Sequence, residues 1–308
     1  MIKMYFEGGL GNQMFQYTFG RYVQEYYHEE VGYDISKYRY DSGEIREFEL
    51  HSFSMCKDWV QLPITNNNLR KYDCVFLLYR LLTIPYLLIN RYMVAHNRAT
   101  VGDKMFQRLA NLMGYYRRYY GDYYKFFPTI NKNKHFLGHW FRPDIVQKMD
   151  SVVRKELKVK VEAPEDVQRY LKQIQSCNSV GVHIRRGDYV ALGMIVCDID
   201  YYKQSMEKMS SLEEKPVFFV FSDDIEWVKE NLKTNHNMVF VEGNHTAVED
   251  MRLLYSCNHF IMSNSTFSWW GAYLGEYHDK KVITPRYWEN EKVKSDMILD
   301  EWIDVENF

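Results

Sequence analysis

Between Ser179 and Thr284 the chain alternates short apolar runs with longer stretches of helical spacing. The runs Ser179–Ile184, Val217–Phe221, Met238–Val241, His259–Met262 and Lys281–Thr284 have the length and composition of strands. Between them, near Asp200–Ser211, Ile225–Leu232, Ala247–Tyr255 and Phe267–Tyr277, apolar residues recur three and four apart. Strands separated by helices do not pair as hairpins. Each helix crosses over one face so that the next strand enters in the same direction, which predicts an α/β fold on a parallel sheet of Rossmann type.

The N-terminus begins in the same way. Ile2, Met4 and Phe6 alternate with Lys3, Tyr5 and Glu7, a turn with Gly8, Gly9 and Gly11 follows, and a helical pattern runs from Asn12 to about His28 before a second strand at Val31–Asp34. Residues 36–135 carry no pattern that assigns elements. Phe136–Trp140 reads as a strand, and Pro143 and Pro164 open two helices. A length of 308 residues suits two domains of ordinary size or one large one. We expect residues 1–175 and 176–308, with the junction inside 158–178.

Charge excludes one class of partner. With 39 Lys and Arg against 41 Asp and Glu, the net charge is −2, which argues against nucleic-acid binding by bulk electrostatics. The five cysteines, Cys56, Cys74, Cys177, Cys197 and Cys257, are widely spaced and form no C-x-x-C pair. That suits a reducing, cytoplasmic setting, and no apolar signal-like run follows Met1. Residues 70–98 are apolar and basic, with Arg70, Lys71, Arg80, Arg91 and Arg98 against Asp73 alone. One reading is a helical hairpin packed on the first domain; the other is peripheral contact with the inner membrane surface. The 26 tyrosines combine an apolar ring with a polar tip. Tyr115, Tyr116, Tyr119, Tyr120, Tyr123 and Tyr124 crowd the irregular half, where such rings offer sugar-stacking surface.

Four stretches carry chemistry. Gly8-Gly9-Leu10-Gly11-Asn12-Gln13-Met14 lies between a strand and a helix, where backbone approaches a phosphate closely. With Asp34 downstream it also admits an NAD-dependent oxidoreductase, although Met14 stands at the third glycine position. His183-Ile184-Arg185-Arg186-Gly187-Asp188 ends a strand, the place where parallel sheets bind ligands. Two adjacent guanidiniums there call for an anion, the alternative being a surface salt bridge with Asp188. Ser222-Asp223-Asp224 ends the next strand, where one Asp is expected to cap the following helix. The last stretch runs from Asp250 through Ser263-Asn264-Ser265-Thr266-Phe267, with Trp269 and Trp270 expected in the core. Asp198-Ile199-Asp200 spells a metal-binding D-x-D, but Asp200 as a helix cap accounts for it.

In this order the stretches resemble the bacterial α-1,2-fucosyltransferases of glycosyltransferase family 11. The residues that carry the likeness are Gly9-Leu10-Gly11-Asn12-Gln13-Met14-Phe15-Gln16-Tyr17, His183-Ile184-Arg185-Arg186-Gly187-Asp188-Tyr189, and Asp250 with Ser263 to Tyr273. Arg46 to Leu50 and Gly138 to Phe141 are further landmarks. The resemblance implies a two-lobed, GT-B-like fold with an acceptor-side first lobe and a nucleotide-sugar second lobe. It implies GDP-β-L-fucose as donor, inversion, a galactose-terminated glycan as acceptor, a role in surface glycan such as O-antigen, and no metal or other cofactor. Arg185, Asp188 and His183 are then the catalytic candidates, with Asp188 as base or as a brace for Arg185. Gly9, Gly11, Asn12, Gln13, Arg186, Asp224, Asp250, Ser265, Thr266 and Phe267 would bind the donor, and His139 and Trp140 the acceptor. A sugar- or nucleotide-binding module without turnover is the non-enzymatic alternative.

Overall fold

The computed structural model describes residues 1–38, 46–55, 60–62, 78, 81, 84–86, 88–89, 91–92, 110–117, 132–194, 197–289 and 292–307. The chain forms two compact units. One comprises Met1–Gly8, Phe15–Phe48 and Cys56–Trp140; the other comprises Gly9–Met14, Glu49–Met55 and Phe141–Phe308.

The first unit holds β1 (Ile2–Tyr5), β2 (Val31–Asp34), β3 (Val60–Gln61), β4 (Tyr115–Arg117) and β5 (Lys134–Leu137), all parallel, in the order β3-β2-β1-β5-β4. The Leu10–Tyr27 helix buries Phe15, Tyr17, Phe19 and Val23. Sequence reading did not find β3 or β4. The apolar content of β4 is aromatic: Tyr115 and Tyr116 are buried and stack on His135 and Phe136, with ring centroids 4.6 Å apart in both pairs. These two tyrosines are therefore core rather than acceptor surface, because strand pairing turns their rings against β5. Tyr119, Tyr120, Tyr123 and Tyr124 lie outside the described residues.

The apolar segment gives a second surprise. Residues 78, 81, 84–86, 88–89 and 91–92 are helical. Leu78, Leu81, Ile84, Leu88 and Ile89 are 44–65% exposed, so this face does not pack as a core-facing hairpin. Arg70, Lys71, Asp73, Arg80 and Arg98 lie outside the described residues. Among the described cysteines, Cys177, Cys197 and Cys257 are free thiols.

The second unit holds β6 (Ser179–Ile184), β7 (Val217–Ser222), β8 (Met238–Phe240), β9 (His259–Ile261), β10 (Val282–Pro285) and β11 (Ile303–Val305). Their order is β11-β10-β9-β6-β7-β8 and every pairing is parallel. This is a doubly wound sheet that starts at β6 and reverses direction between β6 and β9. All six residues of β6 are buried, as a central strand covered on both faces requires. Trp269 and Trp270 are buried in the Thr266–Leu274 helix, and Trp269 donates its indole N–H to the Met297 carbonyl at 2.8 Å.

Candidate functional site

In a doubly wound sheet the ligand crevice opens beyond the carboxyl ends of the two strands where the order reverses. Here those ends are Arg185, Arg186 and Gly187 after β6, and Ser263 to Thr266 after β9. The two anion-seeking stretches of the sequence thus flank one crevice. His183 in β6 bridges them: its Nδ1 lies 3.2 Å from Ser263 Oγ, and its ring packs on Phe267. Burial lowers the imidazole pKa to about 4, with the Arg185 charge adding to the shift against the opposing pull of Asp223. His183 is therefore neutral near pH 7.

Arg185 is held on two sides, by Asp188 in the first turn of the Gly187–Leu192 helix and by Asp223 after β7. Its guanidinium also lies 5.4 Å from the centre of the Tyr189 ring. Asp223 organises the whole turn. Its Oδ1 accepts the backbone N–H of Arg186 at 2.8 Å and of Gly187 at 3.1 Å. A Cβ on Gly187 would collide with the same carboxylate, which explains the glycine.

Arg186 is held by a different set of partners. It pairs with Asp224 at 3.1 Å and lies 3.3 Å above the centre of the Trp227 ring, a cation–π contact. The expectation that an Asp side chain caps the Ile225–Asn231 helix fails. Asp224 sits at the cap position without a side-chain cap bond, and the Asp224 N–H donates to Ser222 Oγ. At the D-x-D, Asp198 rather than Asp200 is the cap, accepting from the Tyr201 N–H at 2.8 Å, and Asp200 faces Lys203. The cap falls two residues earlier because Asp198 is the residue in extended backbone.

On the other side of the crevice, Ser265 caps the Thr266–Leu274 helix by accepting the Phe267 N–H. The first turn of a helix offers unpaired N–H groups and a positive dipole end, the usual partners of a phosphate. Thr266 Oγ1 donates to Asn12 Oδ1 at 2.8 Å. The start of the Leu10–Tyr27 helix is pressed against the same turn: a Cβ on Gly11 would lie 2.5 Å from the Phe267 nitrogen. Gly11 thus makes room for this chain's own backbone, the space that a dinucleotide's pyrophosphate would need under the NAD reading. A Cβ on Gly9, by contrast, meets nothing within 4 Å. Gln13 is buried and accepts the Glu49 N–H at 2.9 Å. Asp34, the other support of the NAD reading, accepts the Ser36 N–H.

Asp250 lies in the Ala247–Tyr255 helix, which a Thr246–Glu249 capping box starts. Its Oδ1 is 3.2 Å from His245 Nδ1. In the first unit, His139 follows β5 with Nε2 3.6 Å from Glu7 Oε1, and Glu7 also pairs with Lys37. Trp140 is buried, its ring stacked on Phe19 at 4.1 Å, so it serves the core of that unit.

Asp223 is the organising residue that sequence reading passed over in favour of Asp224. A signal existed: pairing of Ile184 with Ser222 sets Arg185 beside Asp223. Finding it requires knowing that β6 and β7 are neighbours.

The chain is similar to an α-1,2-colitosyltransferase of Escherichia coli, 30% identical with 97% of each chain covered. It is also similar to the human galactoside α-(1,2)-fucosyltransferase 1, 36% identical over 40% of this chain and 38% of that one. Among solved structures, the NodZ α-1,6-fucosyltransferase of Bradyrhizobium, soaked with GDP-fucose, superposes with a TM-score of 0.51 at 10% identity, covering 89% of this chain and 91% of that one. That last likeness is one of fold, a two-unit, GT-B-like α/β architecture. The model of glycosyl transferase family 11 matches residues 1–306. The chain belongs to glycosyl transferase family 11 and is a glycosyltransferase.

Proposed function

We propose that this glycosyltransferase moves L-fucose from GDP-β-L-fucose to the 2-hydroxyl of a galactose-terminated glycan, inverting the anomeric centre, without a metal, in surface-glycan synthesis. The observation that carries the reading is Arg185, fixed by Asp188 and Asp223 at the switch point of the second sheet. As the bond from the anomeric carbon to the β-phosphate oxygen breaks, negative charge collects on the leaving GDP. A guanidinium already oriented, with a helix N-terminus in the same crevice, neutralises that charge without reorganising. Under this reading the oriented guanidinium and the helix N-terminus supply the stabilisation that a divalent cation would otherwise supply.

Under this reading Arg186, Ser265, Thr266 and Phe267 line the donor site, with Gly9 and Asn12, and Asp250 accepts from the base of the nucleotide. Gln13, Gly11 and Asp224 support these contacts through the backbone and through Arg186. His183, neutral and buried, shapes the floor of the crevice. Asp188 orients Arg185, and it is the carboxylate of the motif available to receive the acceptor proton. The pH profile of Asp188→Asn separates the roles: loss of a base removes the acid limb, and loss of orientation lowers kcat at every pH. The second unit is the donor side and the first unit the acceptor side, with His139 its candidate contact.

Incubation with GDP-fucose and lactose in EDTA tests the activity. Transfer of fucose supports it, and a folded protein that transfers to no galactoside rejects it. One observation favours a second donor: a relative that matches 97% of this chain is a colitosyltransferase. Side-by-side assays with GDP-fucose and GDP-colitose decide which sugar is preferred. Turnover of either removes the non-catalytic alternative.

Peripheral membrane contact is a separate part of the proposal. It draws support from the exposed Leu78, Leu81, Ile84, Leu88 and Ile89, with Arg91 exposed beside them. Among the described residues, no helix is long and apolar enough to cross a membrane. Co-sedimentation with anionic vesicles at low salt, lost in Leu81→Glu with Leu88→Glu, is the expected outcome. Equal recovery in the supernatant with and without vesicles ends the idea.

A further inference from the structure

The loop after β8 turns His245 inward, leaving its side chain 4% exposed. Gly243, at φ +146°, makes the space: a Cβ there would lie 2.6 Å from His245 Nε2. The two ring nitrogens face two carboxylates on different helices. Nδ1 is 3.2 Å from Asp250 Oδ1 in the Ala247–Tyr255 helix, and Nε2 is 3.3 Å from Asp166 Oδ2 at the start of the Glu165–Gln175 helix. Tyr170, on that second helix, meets the imidazole edge to face at 5.9 Å, and its hydroxyl accepts the Glu242 N–H. The remaining carboxylates of the loop and helix are engaged elsewhere, Glu249 by Thr246 and Glu242 by Lys229.

Nδ1 shares a hydrogen bond with Asp250, whereas Nε2 approaches Asp166 without hydrogen-bond geometry, an ion-pair contact that only the imidazolium makes attractive. The site is thus built for the protonated ring. The Asp250 hydrogen bond is the largest influence on the His245 pKa, and with Asp166 it raises that pKa above the ordinary histidine value against the effect of burial. Asp250 itself keeps 38% of its side chain exposed. It is clamped through one oxygen and open to a ligand.

We infer that His245, as the imidazolium, is a positioning residue that aims the Asp250 carboxylate at the N–H edge of the donor's guanine and so sets donor affinity. The inference rests on the proposed role of Asp250. Guanine offers adjacent N–H donors, and a carboxylate held at a fixed angle meets them without first losing rotamer freedom. His245 touches neither sugar nor phosphate in this account, so its effect belongs to binding and not to the chemical step.

Calorimetric titration of GDP against the wild-type protein from acid to alkaline pH needs no variant. Affinity is expected to fall as pH rises through the raised His245 pKa. In His245→Gln the fall is expected to flatten, because the amide keeps one donor to Asp250 and carries no charge. In His245→Ala the donor KM is expected to rise by about tenfold, the loss of one charge-assisted hydrogen bond, with kcat and acceptor KM unchanged. Wild-type donor KM in His245→Ala, or a pH profile identical in His245→Gln and wild type, overturns the inference. Asp250→Asn tells which premise failed. If it abolishes GDP binding while the His245 variants are silent, only the positioning role is wrong. If it binds GDP normally, the reading of Asp250 is wrong and the inference falls with it.

Discussion

Beyond β6 and β9 the second sheet presents Arg185, Arg186, a buried neutral His183 and the N-terminus of a nine-residue helix. Beyond β1 and β5 the first sheet presents Glu7, Lys37 and His139. Both places are switch points of parallel sheets, so topology alone marks each as a crevice. Their chemistry differs. The second gathers two guanidiniums, each paired with aspartate, and Asp223 ties the Arg185 side chain to the backbone of the turn. The first mixes an acid, a base and a half-exposed imidazole, a set suited to hydroxyl groups rather than phosphate. Equivalent positions on two sheets thus carry different side chains, and the proposed function assigns them different tasks.

The contrast breaks most visibly at Arg185. Arg185→Ala is expected to lose about 10²–10³ in kcat, the cost of removing one preorganised donor at a developing charge, with little change in melting temperature. An active variant would mean that the second crevice holds no diphosphate. The next largest effect is on stability. His183 resists protonation in the folded state to about pH 4, whereas in the unfolded chain it titrates near its ordinary value. Its contribution is fully present above about pH 6.5 and fades as pH falls through about 4, up to about 3 kcal/mol. Melting temperatures measured down that range should fall less steeply in His183→Gln.

Two glycines that flank Leu10 sharpen the comparison in the second unit. Gly11→Ala drives a methyl into the Thr266–Phe267 backbone and is expected to cost about 1–3 kcal/mol in denaturant melts. Gly9→Ala, facing open space, should be close to neutral in stability and reveal itself only in donor KM. The smallest effect belongs to the first crevice. His139→Ala is expected to raise acceptor KM by less than about tenfold, the value of one hydrogen bond, and to leave GDP affinity untouched. A loss of GDP affinity there would erase the distinction between the crevices.

The second sheet was readable because β6, β7, β9 and β10 are largely buried apolar runs ended by a turn, and the helices between them keep an apolar spacing. Ser179–Ile184 and Ala247–Tyr255 have the bounds that pattern predicts. The edge strand Ile303–Val305 was missed because it is three residues long and half-buried, so it carries no apolar run. Tyr115–Arg117 was missed for another reason: tyrosine looks the same in sequence whether its ring is stacked in a core or offered to a sugar. The site divides likewise. Arg185 and the Ser265-Thr266 turn announce themselves by charge and hydroxyls at element boundaries. Asp223 and His245 act through partners 38 residues and 79 residues away, Arg185 and Asp166, and only the folded chain brings those together.

The central claim is that the crevice between β6 and β9 holds the donor diphosphate through Arg185. Titration of GDP in EDTA against wild type and Arg185→Ala tests it most directly. The account predicts saturable binding to the wild type and affinity weaker by at least about tenfold in the variant, the loss of a charge-assisted contact to phosphate. Equal GDP affinity in the two proteins, both folded, would contradict it.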